Sequence, residues 1–142
     1  MRAALEEAAK AAAIGEVPIG AVIVRDGEIV GRGYNMRETR KDPTLHAEMI
    51  AIREASERLG GWRLIGCSLY VTLEPCPMCA AAISFARLRR LYYGASDPKG
   101  GGVESGPRIF SQPTCHHAPE IYPGIAEEEA SRLLKAFFIE RR

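Results

Sequence analysis

The pattern of apolar and polar positions predicts most of the secondary structure of this chain. In residues 2–14, Leu5, Ala8, Ala9 and Ala12 recur at helical spacing, which predicts a first helix that stops at Gly15. Two β-rich runs, 19–24 and 29–34, flank Asp26-Gly27 and read as a hairpin. Asp42-Pro43-Thr44 is a breaker with Thr44 as an N-cap candidate, and 45–59 then reads as a helix ending at Gly60-Gly61. A short apolar strand at 69–73 leads into a helix with Pro77 in its first turn. Residues 90–93 give the next strand, 94–106 a glycine-rich loop, and 120–122 a last short strand. Residues 126–140 form a closing amphipathic helix, with Leu133, Leu134, Phe137 and Phe138 on its apolar face.

An opening hairpin followed by alternating strands and helices implies an α/β fold. The expected architecture is a three-layer sandwich, a central mixed five-stranded sheet flanked by helices. The 69–73 and 90–93 strands, bridged by a helix, should run parallel through a right-handed crossover. No repeat, linker or low-complexity tract interrupts the 142 residues, so 1–142 read as a single domain. A domain of about this size buries roughly 68–70% of its unfolded surface, enough for a core without disulfide support.

Composition narrows the field mainly by exclusion. The net charge of +1 gives no general electrostatic footprint for nucleic acid, so any such contact must come from local patches. The candidates are Arg37, Arg40 and Lys41; Arg87, Arg89, Arg90 and Lys99; and Arg141 with Arg142. No apolar run approaches the roughly 20 residues that cross a bilayer. The Ala-rich start carries Glu6, Glu7 and Lys10 where a signal peptide needs an unbroken apolar stretch. No membrane association is expected, and a cytoplasmic location is. Four cysteines (Cys67, Cys76, Cys79, Cys115) are too few for a disulfide scaffold, which favours a reducing compartment.

The chemistry is concentrated in His46-Ala47-Glu48 and Pro75-Cys76-Pro77-Met78-Cys79. One imidazole and two thiolates leave a fourth tetrahedral position open, the stoichiometry of a catalytic zinc rather than a structural one. Both ligand sets fall at predicted helix starts. Cys76 and Cys79 are three apart, so a helical turn puts both sulfurs on one side, and the helix N-terminus favours thiolate over thiol. His46 and Glu48 would diverge in mid-helix, yet near a first turn both can reach a metal at the helix end. Two thiolates leave such a centre formally neutral and water there less acidic, so the proton acceptor Glu48 gains importance. The expected reaction is hydrolytic deamination of an amidine-like ring carbon.

Cys-x-x-Cys alone could be a redox pair or half of a structural zinc site, but no second Cys-x-x-Cys exists, and Cys115-His116-His117 is too compact to complete one. Those three residues read as loop packing, with substrate contact as the alternative, and Cys67 as a buried apolar side chain. Asn35, closing Gly33-Tyr34-Asn35, is either a turn residue or an amide that hydrogen-bonds a base edge.

His-x-Glu with a distant Pro-Cys-x-x-Cys is the known signature of zinc-dependent base deaminases. Beyond it, the chain resembles the bacterial tRNA-specific adenosine deaminases of the cytidine-deaminase-like superfamily along most of its length. The resemblance rests on Val17-Pro18-Ile19-Gly20-Ala21-Val22, Gly33-Tyr34-Asn35, Asp42-Pro43-Thr44-Leu45-His46-Ala47-Glu48, the run from Leu69 to Cys79, Tyr93-Gly94-Ala95, Asp97 and Phe137-Phe138. Asp-Pro-Thr before the His and the paired Phe point to the tRNA branch. The resemblance implies conversion of adenosine to inosine at the wobble position of a tRNA anticodon, by a homodimer with one Zn2+ per chain. It further implies that Asn35 holds the base, that Asp97 contacts ribose, and that Lys99 and the C-terminal helix with Arg142 line the RNA site. Gly100-Gly101-Gly102 and His116 depart from the family pattern. An apolar helix from Pro77 (Ala80, Ala81, Ala82, Ile83, Phe85) needs cover on every side, which fits a dimer. Two alternatives share the motif: a deaminase of free bases or nucleosides such as guanine or cytosine, and a catalytically dead partner subunit, against which the intact Glu48 argues.

Overall fold

The structure is a computed structural model that describes residues 1–141. The hairpin forms as the Asp26-Gly27 signal predicts: β1 (Gly20–Arg25) pairs antiparallel with β2 (Glu28–Tyr34) around those two residues, both at positive φ. β1 also pairs antiparallel with β3 (Ser68–Leu73), and β3 runs parallel to β4 (Arg90–Ala95), itself parallel to β5 (Glu120–Tyr122). The mixed five-stranded sheet therefore has the order β2-β1-β3-β4-β5.

Helices cover both faces. On one side α2 (Ala47–Leu59) and α3 (Pro77–Phe85) pack on the main core, where Ala47, Ala51, Ala55, Ala80 and Ile83 meet Ala21, Ile23, Leu69, Val71, Leu91 and Tyr93. On the other, α1 (Arg2–Ala13) and α4 (Glu127–Glu140) enclose a smaller cluster of Leu5, Ala95 and Ala130 with Leu73, Leu133 and Leu134. α2 sits close because β2 presents bare backbone to it at Gly31 and Gly33. A Cβ on Gly33 would lie 2.3 Å from the Ala47 carbonyl oxygen, and one on Gly31 would lie 2.3 Å from that of Ala51.

Three expectations need correction. Thr44 does not cap α2: its N–H and hydroxyl both donate to Asp42 Oδ1, at 2.8 and 2.7 Å, and close a local turn instead. His46 occupies the N-cap, and the helix starts at Ala47 rather than at 45. β4 continues through Gly94 and Ala95, assigned to the loop from sequence, because Ala95 finds a partner in Leu73 on the parallel strand. A 3₁₀ turn at Ile109–Ser111 follows the rest of the glycine-rich loop. Among the described residues no helix is long and apolar enough to cross a membrane, and all four cysteines are free.

Candidate metal centre and substrate pocket

The chain leaves β3 at Leu73 and turns through Glu74 and Pro75, which brings Cys76 to the N-cap of α3 with extended backbone (φ −69°, ψ 170°). Pro77 follows at the first helical position, where its missing N–H costs nothing. α2 begins the same way, with His46 extended at its N-cap (φ −78°, ψ 156°) and Glu48 in the first turn. Two helix N-termini thus converge, and their partial positive charge favours thiolate there.

His46 Nδ1 lies 3.6 Å from Cys76 Sγ and 3.6 Å from Cys79 Sγ, and the three donor atoms all fall within 4.8 Å of one another. A tetrahedral zinc with nitrogen at about 2.0–2.1 Å and sulfur at about 2.3 Å sets those two atoms about 3.6 Å apart. The donor set therefore fits zinc in both chemistry and spacing. Cys79 donates its thiol proton to Cys76, which draws Cys76 down to about 4, while the same contact and burial push Cys79 up. A divalent cation there would hold both sulfurs as thiolates, so its binding would release a proton. Glu48 is 4% exposed, and burial pushes its carboxyl up to about 7.

His46, Glu48 and Cys76 line one end of a cavity of about 220 Å³. Val17, Ile19 and Leu73 supply apolar lining, and Asn35, Arg37, Glu74, Asp97 and Gly100 also line it. This space is smaller than the roughly 300–1,000 Å³ of drug-sized sites. It suits one small ring system, with the rest of a larger substrate left outside. Asn35 is almost fully buried. Its Nδ2 donates to the Val17 carbonyl at 3.5 Å and its Oδ1 accepts from the Arg37 N–H at 3.4 Å.

The structure thus brings together His46, Glu48, Cys76, Cys79, Asn35 and Asp97. Lys99 is exposed on the loop beside Asp97 and does not line the cavity. Arg142 lies outside the described residues. Among the described residues of the basic patches, Arg37 is the one that lines the pocket; Arg89 and Arg90 turn to Glu120 at the β5 edge, 4.0 and 3.1 Å away. Cys115 and His117 are loop packing, as expected: Ser84 Oγ donates to the His117 carbonyl at 2.6 Å, and His117 Nε2 lies 2.7 Å from the Leu88 carbonyl.

Three carboxylates, Glu7, Glu16 and Glu74, escaped the sequence reading as buried groups; Glu7 pairs with Lys10 at 2.7 Å and Arg32 at 3.6 Å. Burial by itself would raise Glu16, but hydrogen bonds from the Thr39 hydroxyl and the Thr39 and Glu38 N–H groups hold it below the ordinary carboxylate value. The same contest, decided by N–H groups of Asp97, Val103 and Glu104 and the Ser105 hydroxyl, leaves Glu74 lowered as well. An acidic residue flanking a buried strand end, as Glu74 does after Leu73, was the available signal.

A mixed sheet between helix layers, with a His and two Cys gathered at two helix starts, defines a zinc-binding deaminase domain. Residues 1–95 match the cytidine and deoxycytidylate deaminase zinc-binding region. The chain belongs to the tRNA-specific adenosine deaminase family. Its relative of that name in Agrobacterium fabrum is 61% identical, over 100% of this chain and 93% of the relative. A solved structure from studies of A-to-I editing by tRNA:A34 deaminases at the wobble position superposes with TM-score 0.92 at 62% identity, covering 94% of this chain and 97% of that one. The guanine deaminase of Bacillus subtilis is more distant, at TM-score 0.65 and 33% identity over 99% of this chain and 90% of its own.

Proposed function

We propose that residues 1–142 act as a single zinc-dependent deaminase domain that converts adenosine to inosine at the wobble position of a tRNA anticodon. The observation that carries this reading is the His46–Cys76–Cys79 triangle opening into a pocket that also holds Glu48. Zinc, when bound, supplies the Lewis acidity that makes water a nucleophile near neutral pH. His46, Cys76 and Cys79 hold it, one ion per chain. Glu48 accepts the proton of the attacking water at its carboxylate and passes it to the ring nitrogen beside the amine-bearing carbon. Once the C–O bond has formed, Glu48 takes the second proton from the new hydroxyl and delivers it to the amine, which leaves as ammonia as the C–N bond breaks and the carbonyl forms. Val17, Ile19 and Leu73 enclose the ring and exclude bulk water.

Asn35 is the base-binding residue in this proposal, and Asp97 the ribose contact. Lys99 and Arg142 are the phosphate contacts. A single-stranded anticodon loop can splay one adenine into so small a pocket without melting a duplex. The domain works in the cytoplasm as a homodimer; the apolar α3, where Phe85 is 67% exposed, supports a second subunit on that face. Purified protein incubated with an anticodon stem-loop bearing adenosine, and separately with adenosine, guanine and cytosine, tests the reading through inosine and ammonia release. Inosine in the stem-loop is the expected product. Deamination of free guanine or cytosine with the stem-loop untouched overturns the assignment.

A further inference from the structure

The edge of the pocket that carries Asp97 is a loop, residues 97–105, without regular structure of its own. Its backbone N–H groups need acceptors wherever they are buried. One side chain provides most of them. Glu74 Oε1 accepts from the Asp97 N–H and the Ser105 hydroxyl, each at 3.0 Å. Its Oε2 accepts from the N–H groups of Val103, Glu104 and Ser105 at 3.1, 3.0 and 3.0 Å. The carboxylate is 2% exposed, and among the described residues no cation pairs with it.

The glycines in this loop follow from the same arrangement. A Cβ on Gly101 would lie 2.5 Å from Glu74 Cδ, and one on Gly102 would lie 2.6 Å from the Pro77 nitrogen. The loop is threaded between the carboxylate and the start of α3, and only bare backbone passes. Gly102 then donates its N–H to the Pro75 carbonyl at 2.8 Å, so loop and ligand turn are joined twice. Asp97, which also accepts the Gly101 N–H at its carbonyl (2.8 Å), is held at the hub of this wrap.

We propose that Glu74 is a positioning residue for the deamination: its carboxylate sets the Asp97–Gly100 edge of the pocket against the Cys76 turn and so fixes where the RNA outside the zinc pocket is held. This rests on the RNA-deaminase reading above. In this role Glu74, though it lines the cavity, neither ligates the metal nor takes part in proton transfer. It acts through Asp97.

Glu74→Gln keeps the size of the side chain and replaces one acceptor oxygen with an NH2. Whichever way the amide turns, at least one loop N–H then faces a donor. KM for an anticodon stem-loop should rise roughly tenfold, the lower end of the loss on removing an outer partner of a functional group. The kcat should hold within a few-fold, because the interaction lost serves ground state and transition state alike. Zinc should stay at one per chain, and amide exchange should quicken at 103–105 while β3 and β4 stay protected. Gly101→Ala leaves the carboxylate intact but drives the loop off it, and should give the same KM-selective defect. Loss of zinc, a fall in kcat at unchanged KM, or unchanged exchange at 103–105 in the Gln variant overturns the proposal. If the parent itself does not deaminate the stem-loop, the RNA reading is what fails, and the exchange and zinc measurements still decide whether Glu74 holds the loop.

Discussion

Gly33→Ala is a single-methyl perturbation placed where the sheet meets the metal centre. Its Cβ would lie 2.3 Å from the Ala47 carbonyl oxygen and 2.8 Å from the Ala51 nitrogen, both backbone atoms of α2. Ordinary contact begins near 3.4 Å, so the first turn of α2 must retreat by about 1 Å. Overpacking of this kind costs about 1–3 kcal/mol, which lowers Tm by roughly 3–10 °C in a domain of this size. Ala47 follows the ligand His46 directly, and a 1 Å error in a ligand or catalytic group is enough to lose about 100-fold in rate. The variant should therefore melt earlier and also surrender zinc to a competing chelator sooner than the parent does. Thermal denaturation by circular dichroism reads the first effect, and metal competition with a chromogenic chelator the second. Gly61→Ala is the control, since a Cβ there meets open space. A Gly33→Ala protein that melts with the parent and holds zinc equally well would refute the claim that bare backbone in β2 sets the position of α2.

Glu48→Ala should keep both fold and zinc, because Glu48 lies outside the ligand triangle, and should lose activity by about 100–10,000-fold; metal analysis with single-turnover deamination checks this, and activity within a few-fold of the parent excludes the proton-transfer role. Cys79→Ala leaves two of three protein ligands and should purify without stoichiometric zinc and with a lower Tm, so a variant with one tightly held zinc contradicts the ligand set. Glu16 is held below the ordinary value of 4.5, with Arg37 the charged neighbour, so its ionised form contributes stability above that value and the contribution fades as pH falls through the lowered one. The stability gap between parent and Glu16→Gln, measured by urea unfolding, should be widest near neutrality and shrink below about pH 4.5; a gap independent of pH contradicts the assignment.

Much of this site could be read in the chain because its spacing already obeys helix-start geometry. Cys76 and Cys79 stand at the first cap and third helical positions of α3, where one turn brings two side chains together. His46 and Glu48 need only be at the very start of α2 to serve one metal, and Gly60 marks its far end in the left-handed conformation expected there. The hairpin and the parallel β3–β4 pair were equally legible, the first from Asp26-Gly27 and the second from a helix between two apolar runs. Asp97 and Asn35 were placed by resemblance; no periodicity would have shown that strand ends so far apart in sequence face one cavity.

What stayed hidden is the acidic framework. Local pattern treats a charged residue as solvated, and Glu16 and Glu74 escape that rule only because donors 22 to 31 residues away converge on them. No window along the chain contains both the acceptor and its N–H groups. The misplaced start of α2 has a different cause. Thr44 is the better cap by propensity, yet its hydroxyl is taken by Asp42, and the cap passes to His46, which makes no capping hydrogen bond from its side chain. A ligand at that position points off the end of the helix, toward the N-cap of α3, where Cys76 does the same. Local helix rules therefore fail by two residues at the place where the chain commits its cap to a metal, as expected when a site overrides propensity. Zinc held by His46 at one helix start and by Cys76 and Cys79 at the other would tie α2 to α3, so its removal should loosen the docking of the two helices.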